Sequence, residues 1–157
     1  MGEPYTNGKN YEPLLKLIAN KEIKINKISV VFSENKIIID GRIVKNVLIS
    51  SDGIFFTGEH YTSRDKARQI IQTRYFSPGK DGFAYFLEAN IGITDKDFLK
   101  QLTGADEADA MIKINTEAIA LERVWIKTER KFPYLKIAVE EGISMDELSS
   151  LPEHHKL

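Results

Sequence analysis

Apolar positions follow three different rhythms along the chain. Over residues 12–20, Leu14, Leu15, Leu17 and Ile18 recur at helical spacing, and Asn20 ends a short amphipathic helix. From Glu22 to Ile49 the pattern alternates: Ile23 and Ile25, then Ile28, Val30 and Phe32, with a slip of phase near Lys27 that reads as a bulge. Ser33-Glu34-Asn35-Lys36 and Asp40-Gly41 are turn signals, so Ile37-Ile38-Ile39 and the positions Ile43, Val44, Val47, Leu48 and Ile49 continue a β-meander. Ser50-Ser51-Asp52-Gly53 breaks that pattern. The third rhythm consists of unbroken apolar runs, Ile54-Phe55-Phe56 and Phe83-Ala84-Tyr85-Phe86-Leu87, whose aromatic and β-branched content argues buried strands.

The first of these runs delivers His60, Tyr61 and Thr62 at a strand end. Thr62 or Ser63 caps a following helix, Asp65 sits in its first turn, and Ala67, Ile70 and Ile71 form its apolar face. The helix stops near Arg74, before the loop Ser77-Pro78-Gly79-Lys80-Asp81-Gly82. After Glu88, Thr94 caps a second helix in which Phe98, Leu99 and Leu102 share a face and Gly104 ends it. Met111, Ile112 and Ile114 predict a strand, and Val124-Trp125-Ile126 another. Pro133 interrupts, Tyr134–Val139 forms the last strand, and Ser144 caps a short helix over residues 145–148. Residues 1–10 read as a flexible linker and Leu151–Leu157 as a loose tail. Strands outnumber helices without alternating with them, which predicts an α+β fold with a mainly antiparallel sheet. Residues 11–52 are expected to extend the same domain whose core is 53–157.

Composition narrows the picture further. A chain of 157 residues suits one core, and its 42% hydrophobic and 29% charged content is that of a globular domain with no apolar run long enough to span a bilayer. The 22 basic and 23 acidic side chains nearly cancel, so a broad positive field for nucleic acid is absent. Without cysteine there is no disulfide, thiolate metal site or cysteine nucleophile. Met1-Gly2-Glu3-Pro4 has neither the basic start nor the apolar core of a signal peptide. Gly79-Lys80 lacks phosphate-loop spacing, no Gly-x-Ser-x-Gly elbow occurs, and His154 and His155 beside Glu153 are expected to be solvated, so no metal is called for.

His60-Tyr61-Thr62-Ser63 at a strand end, a short helix, a Pro/Gly loop and then Gly82-x-x-Tyr85-Phe86 on a strand resembles the order in NAD-dependent ADP-ribosyltransferases of the diphtheria-toxin-like group. The chain most resembles the bacterial polymorphic-toxin branch with a His-Tyr-Asp signature, from about Gly53 to about Ile143. The resemblance implies a split sheet around an NAD cleft, with NAD as substrate and no metal. His60 would fix the adenosine ribose, the backbone of Tyr61 beside Thr62 would grip the nicotinamide carboxamide, and Tyr85 would stack on nicotinamide, with His60 and Tyr85 facing one pocket. Phe98 stands where the group has a second tyrosine and would complete the sandwich without its hydroxyl. A carboxylate must face the ribose as positive charge develops there; Glu140 is the first choice, with Glu117 and Glu88 as alternatives. No Asp matches the third signature residue. Arg64, Lys66, Arg68 and Arg74 would meet the pyrophosphate, or form an ordinary charged helix face.

Plainer roles stand beside these: a capping histidine for His60, a core aromatic for Tyr85, surface carboxylates for the glutamates. The function implied by the resemblance is a mono-ADP-ribosyltransferase or NAD glycohydrolase toxin domain. It would have an unspecified macromolecular or small-molecule acceptor and an immunity protein as partner, delivered as an effector into a target cytoplasm or acting in its own. The alternative is a non-catalytic binding module, such as an immunity or adaptor protein using the meander as an interaction edge. A tRNA 2'-phosphotransferase-like use of the fold needs a basic pocket that the charge balance disfavours.

Overall fold

The computed structural model describes residues 11–129 and 132–157, so the linker expected over 1–10 lies outside the described residues. Strand β1 (Tyr11–Pro13) leads into helix α1 (Leu14–Asn20). Strands β2 (Glu22–Ile25), β3 (Ile28–Ser33), β4 (Lys36–Ile39) and β5 (Arg42–Ile43) follow, then β6 (Val47–Ser50) and the long β7 (Gly53–Thr62). Helix α2 (Arg64–Thr73), β8 (Tyr75–Phe76), β9 (Phe83–Glu88), α3 (Lys96–Thr103) and β10 (Ala110–Asn115) come next. The chain finishes with β11 (Val124–Glu129), β12 (Phe132–Glu140), β13 (Ile143–Ser144) and β14 (Glu153–Lys156), with short 3-10 turns at Leu121–Arg123 and Met145–Glu147.

The fold is mixed α and β, and the strand pairs among the described residues are antiparallel. The main sheet runs β1-β11-β12-β9-β7-β10-β14, with β6 paired to the first half of β7. The meander β2-β3-β4-β5 is a sheet of its own, and β8 pairs with β13. Residues opposite each other in an antiparallel ladder point to the same face, so the registers sort the side chains. One face carries Phe86, Ile137, Ile126 and Ile112, which join Leu14, Leu17, the meander residues Val30, Ile37 and Ile39, and Ala67 and Ile70 of α2 in the principal buried cluster. Each fully buried Leu or Ile there contributes about 1.5–3 kcal/mol. On the opposite face Tyr61 and Leu87 pack with Leu99, Leu102 and Ala108.

Helices α2 and α3 end as the sequence leads one to expect. Ser63 caps α2 through the Lys66 amide, Arg74 turns into left-handed conformation behind it, and Gly104 does the same behind α3. Several expectations need correction. Asn26 and Lys27 are not a bulge: both have positive φ, 52° and 66°, and form the two-residue turn between β2 and β3. The cap of α3 is Asp95, not Thr94, because the Asp95 carboxylate accepts from the amides of Asp97 and Phe98. Pro133 lies within β12. The tail is not loose, since β14 pairs with β10 from Ala110↔Lys156 to Lys113↔Glu153. Among the described residues no helix is long and apolar enough to cross a membrane.

Candidate functional site

Strands β7 and β9 pair over only two rungs, Gly58↔Glu88 and Glu59↔Leu87. Beyond them each strand stays attached to its other neighbour: β7 to β10 out to Thr62, β9 to β12 out to Phe83. The sheet therefore opens between them. Gly58 suits the last closed rungs, since a Cβ there would stand 2.9 Å from the Phe86 Cβ. A cleft of about 750 Å³ lies at the opening, within the range of small-molecule and cofactor sites. His60, Tyr61, Thr62, Lys66, Tyr75, Phe83, Tyr85 and Lys136 are among its lining residues, and the loop Thr103–Glu107 bounds it.

His60 bridges the opening. Its Nδ1 lies 2.8 Å from the carbonyl oxygen of Tyr85, which only accepts, so Nδ1 carries the proton and donates. The ring stands edge-on to Phe76 at 5.4 Å and tilted against Phe86 at 5.5 Å. Burial lowers the His60 pKa below its ordinary value, the hydrogen bond to Tyr85 works against this, and the nearby Lys66 charge adds to it. The imidazole is therefore neutral at pH 7. Its Nε2 makes no hydrogen bond among the described residues and, since none of their buried side-chain nitrogens lacks a partner, this atom retains solvent access as a free acceptor.

Tyr85 belongs to the other face of the sheet. It stands opposite Ala138, on the face of Trp125 and Lys127, whereas His60 stands opposite Ile112 on the face of Phe86. Both residues line the cleft, but the expectation that their side chains converge from one face does not hold; the Tyr85 carbonyl, not its ring, meets His60. The Tyr85 hydroxyl donates to Asp81 Oδ2 and is hydrogen-bonded to the Tyr11 hydroxyl. Burial raises the Tyr85 pKa far above that of a free phenol, and the bonds to Asp81 and Tyr11 raise it further.

The three candidate glutamates are not among the residues lining this cleft. Glu140 accepts from the Trp125 indole Nε1 at 2.8 Å, two pleats along the sheet from Lys136. Glu88 is 3% exposed on the opposite face, where Arg42 grips it at 2.6 and 2.9 Å and the Leu135 amide donates to it at 2.6 Å. Glu117 is exposed beside the Thr116↔Leu148 bridge. The carboxylates that do line the cleft are Glu59, Asp106 and Glu107. Of these Glu59 is buried, and it accepts from the Tyr61 hydroxyl at 2.8 Å and the Asn90 amide at 3.2 Å. Phe98 does not face Tyr85 either: its ring packs edge-on against Phe132 at 4.6 Å. Among the four helix cations, Lys66 lines the cleft, while Arg64 and Arg68 line a separate shallow depression with Asp65, Glu107 and Asp109. Arg74 closes α2 in left-handed conformation.

Lys136 had no functional signal in the sequence. It is 2% exposed, lines the cleft, stands opposite Lys127 in the β11–β12 ladder and reaches Glu129 at 2.6 Å. Burial lowers its pKa and Lys127 lowers it further, against the attraction of Glu129. Glu59 and Asp81 were also missed, although each sits within the stretch that carries the motif; adjacency to His60 is the one sequence cue that could have marked Glu59. His154 and His155 are exposed on β14. Set against known protein families, curated proteins and solved structures, the chain matches none of them.

Proposed function

We propose that the chain cleaves the nicotinamide–ribose bond of NAD and passes ADP-ribose to an acceptor or to water, as a mono-ADP-ribosyltransferase or NAD glycohydrolase of the toxin type. The observation that carries this reading is the opening between β7 and β9, a cleft lined by His60, Tyr61 and Thr62 across which the Tyr85 carbonyl, not its ring, meets His60. A neutral His60 with Nδ1 committed to the Tyr85 carbonyl leaves Nε2 to accept from a ribose hydroxyl. The end of β7 at Tyr61 and Thr62 supplies backbone groups for the carboxamide, and the Tyr85 ring supplies an aromatic edge.

As the C–N bond breaks, its electrons leave with the nicotinamide ring and positive charge grows on the ribose. A carboxylate fixed in a water-poor cleft stabilises that charge. Glu59 takes this role in place of Glu140, because it is the buried carboxylate that lines the cleft.

The test is release of nicotinamide from NAD by the purified protein. His60→Ala is expected to abolish turnover, and Glu59→Gln to lower kcat by about 10²-fold with little change in KM, the scale of losing one preorganised electrostatic partner. Intact NAD after prolonged incubation with the wild-type protein would overturn the reading in favour of a non-catalytic binding module.

A further inference from the structure

Strand β1 lies outside the stretch that resembles the transferases, yet its first residue reaches Tyr85, which lines the cleft. Tyr11 stands opposite Lys127 in the β1–β11 ladder, Lys127 opposite Lys136, and Tyr85 one residue pair along β9 from the Lys136↔Leu87 rung on the same face. The Tyr85 hydroxyl donates to Asp81 Oδ2, and the one Tyr11 hydroxyl proton goes to the Tyr85 oxygen or to that same carboxylate oxygen 3.2 Å away. Asp81 is held in turn, its Oδ1 accepting from the Phe83 amide at 3.1 Å. The Lys127 ammonium stands 4.7 Å from the Tyr11 ring centroid and 5.3 Å from that of Tyr85. Phe83 stacks on Tyr11 at 6.1 Å.

A strand tyrosine is anchored at its Cβ and swings about two torsions. Here its far end is tied as well, by one group 74 positions away and another 4 positions away. The bond to a carboxylate is about twice as strong as one between neutral groups, so Asp81 is the firmer tie and Tyr11 sets its direction.

We infer that Tyr11 and Asp81 are positioning residues for Tyr85, which makes the N-terminal strand a working part of the cleft as well as of the fold. The kinetic side of this inference rests on the reading of the cleft as an NAD site; the geometric side does not. Tyr11→Phe keeps the ring on Phe83 and beneath Lys127 and removes only the hydroxyl. Asp81→Asn keeps the size and removes the charge.

Two readouts test it on the full chain. Steady-state kinetics are expected to show KM for NAD raised about tenfold in each variant, the scale of one lost hydrogen bond, with kcat within about twofold. Ring 13C NMR of ligand-free protein is expected to show the Tyr85 ring passing from slow to averaged flipping. Unchanged Tyr85 signals in both variants would overturn the inference. Altered signals with unchanged KM would overturn the claim that the tie serves the site. Altered signals in a protein that never consumes NAD would uphold the tie and overturn the proposed function instead. If Asp81→Asn fails to fold, Tyr11→Phe carries the test alone.

Discussion

The imidazole of His60 stands where a third rung between β7 and β9 would otherwise form. Its burial in neutral form has a consequence for stability. The unfolded chain has the ordinary histidine pKa of 6.5 and the folded chain a lower one, so between the two values the unfolded state holds more protons. The His60 contribution is intact above about pH 6.5 and is lost as pH falls from there toward the folded value. Urea midpoints measured from pH 7.5 to pH 5 are expected to fall more steeply for the wild type than for His60→Gln; parallel curves would show that His60 is not the group concerned. At this scale the sequence was legible where a run of apolar residues placed a side chain on a strand, as for His60 near the end of β7 and Tyr85 within β9. It pointed to Glu140, Glu117 or Glu88 and not to Glu59, because which carboxylate lines the cleft depends on pairing registers, and Glu140 finds its partner in Trp125 across a ladder that sequence spacing does not determine.

Among the elements, the meander shows how a turn hides in plain composition. Its three hairpins share one geometry: Asn26-Lys27 with φ of 52° and 66°, Glu34-Asn35 with 52° and 66°, Asp40-Gly41 with 50° and 79°. Asp40-Gly41 was readable because Gly takes positive φ at no steric cost. Lys27 was not, because a lysine in that conformation carries a Cβ penalty that the surrounding ladder overrides. Lys27→Gly is accordingly expected to stabilise the protein by about 0.5–1 kcal/mol, less the extra entropy of a glycine in the unfolded chain. An unchanged or lower urea midpoint with constant slope would contradict this. Strand β14 was invisible for a different reason. Its four residues, Glu153–Lys156, are all exposed, so no face is buried and no alternation marks it; it is a strand because β10 offers an edge.

Across the whole molecule, the meander is a separate sheet held to the main one by shared core and by the ion pair of half-exposed Arg42 with buried Glu88. Leu14, Ile39 and Phe86 belong to one buried cluster, the Asn26 side-chain amide donates to the Thr128 carbonyl while the Thr128 hydroxyl donates to the Ile25 carbonyl, and Arg42 on β5 grips Glu88 and the Pro133 carbonyl. Arg42→Ala would leave the Glu88 carboxylate buried with the Leu135 amide as its remaining partner among these. The cost is expected to be about 2–3 kcal/mol, below that of a fully buried pair because the Arg42 side chain is 41% exposed. Denaturant unfolding measures it, and a loss under ~0.5 kcal/mol would mean that the apolar contacts alone seat the meander. Whether the meander extends the main sheet or stands apart could not be read from alternation, since the same pattern serves both; the departure of β6 to β7 after Asn46 decides it. The opening beside His60 then acquires a mechanical meaning. The main sheet is two half-sheets, β1-β11-β12-β9 and β6-β7-β10-β14, and the seam between them is stitched at Gly58–Glu59 and Leu87–Glu88 plus one imidazole. So short a seam leaves the two half-sheets only two backbone rungs and one imidazole in common along that border, with the side-chainless Gly58 in one of the rungs.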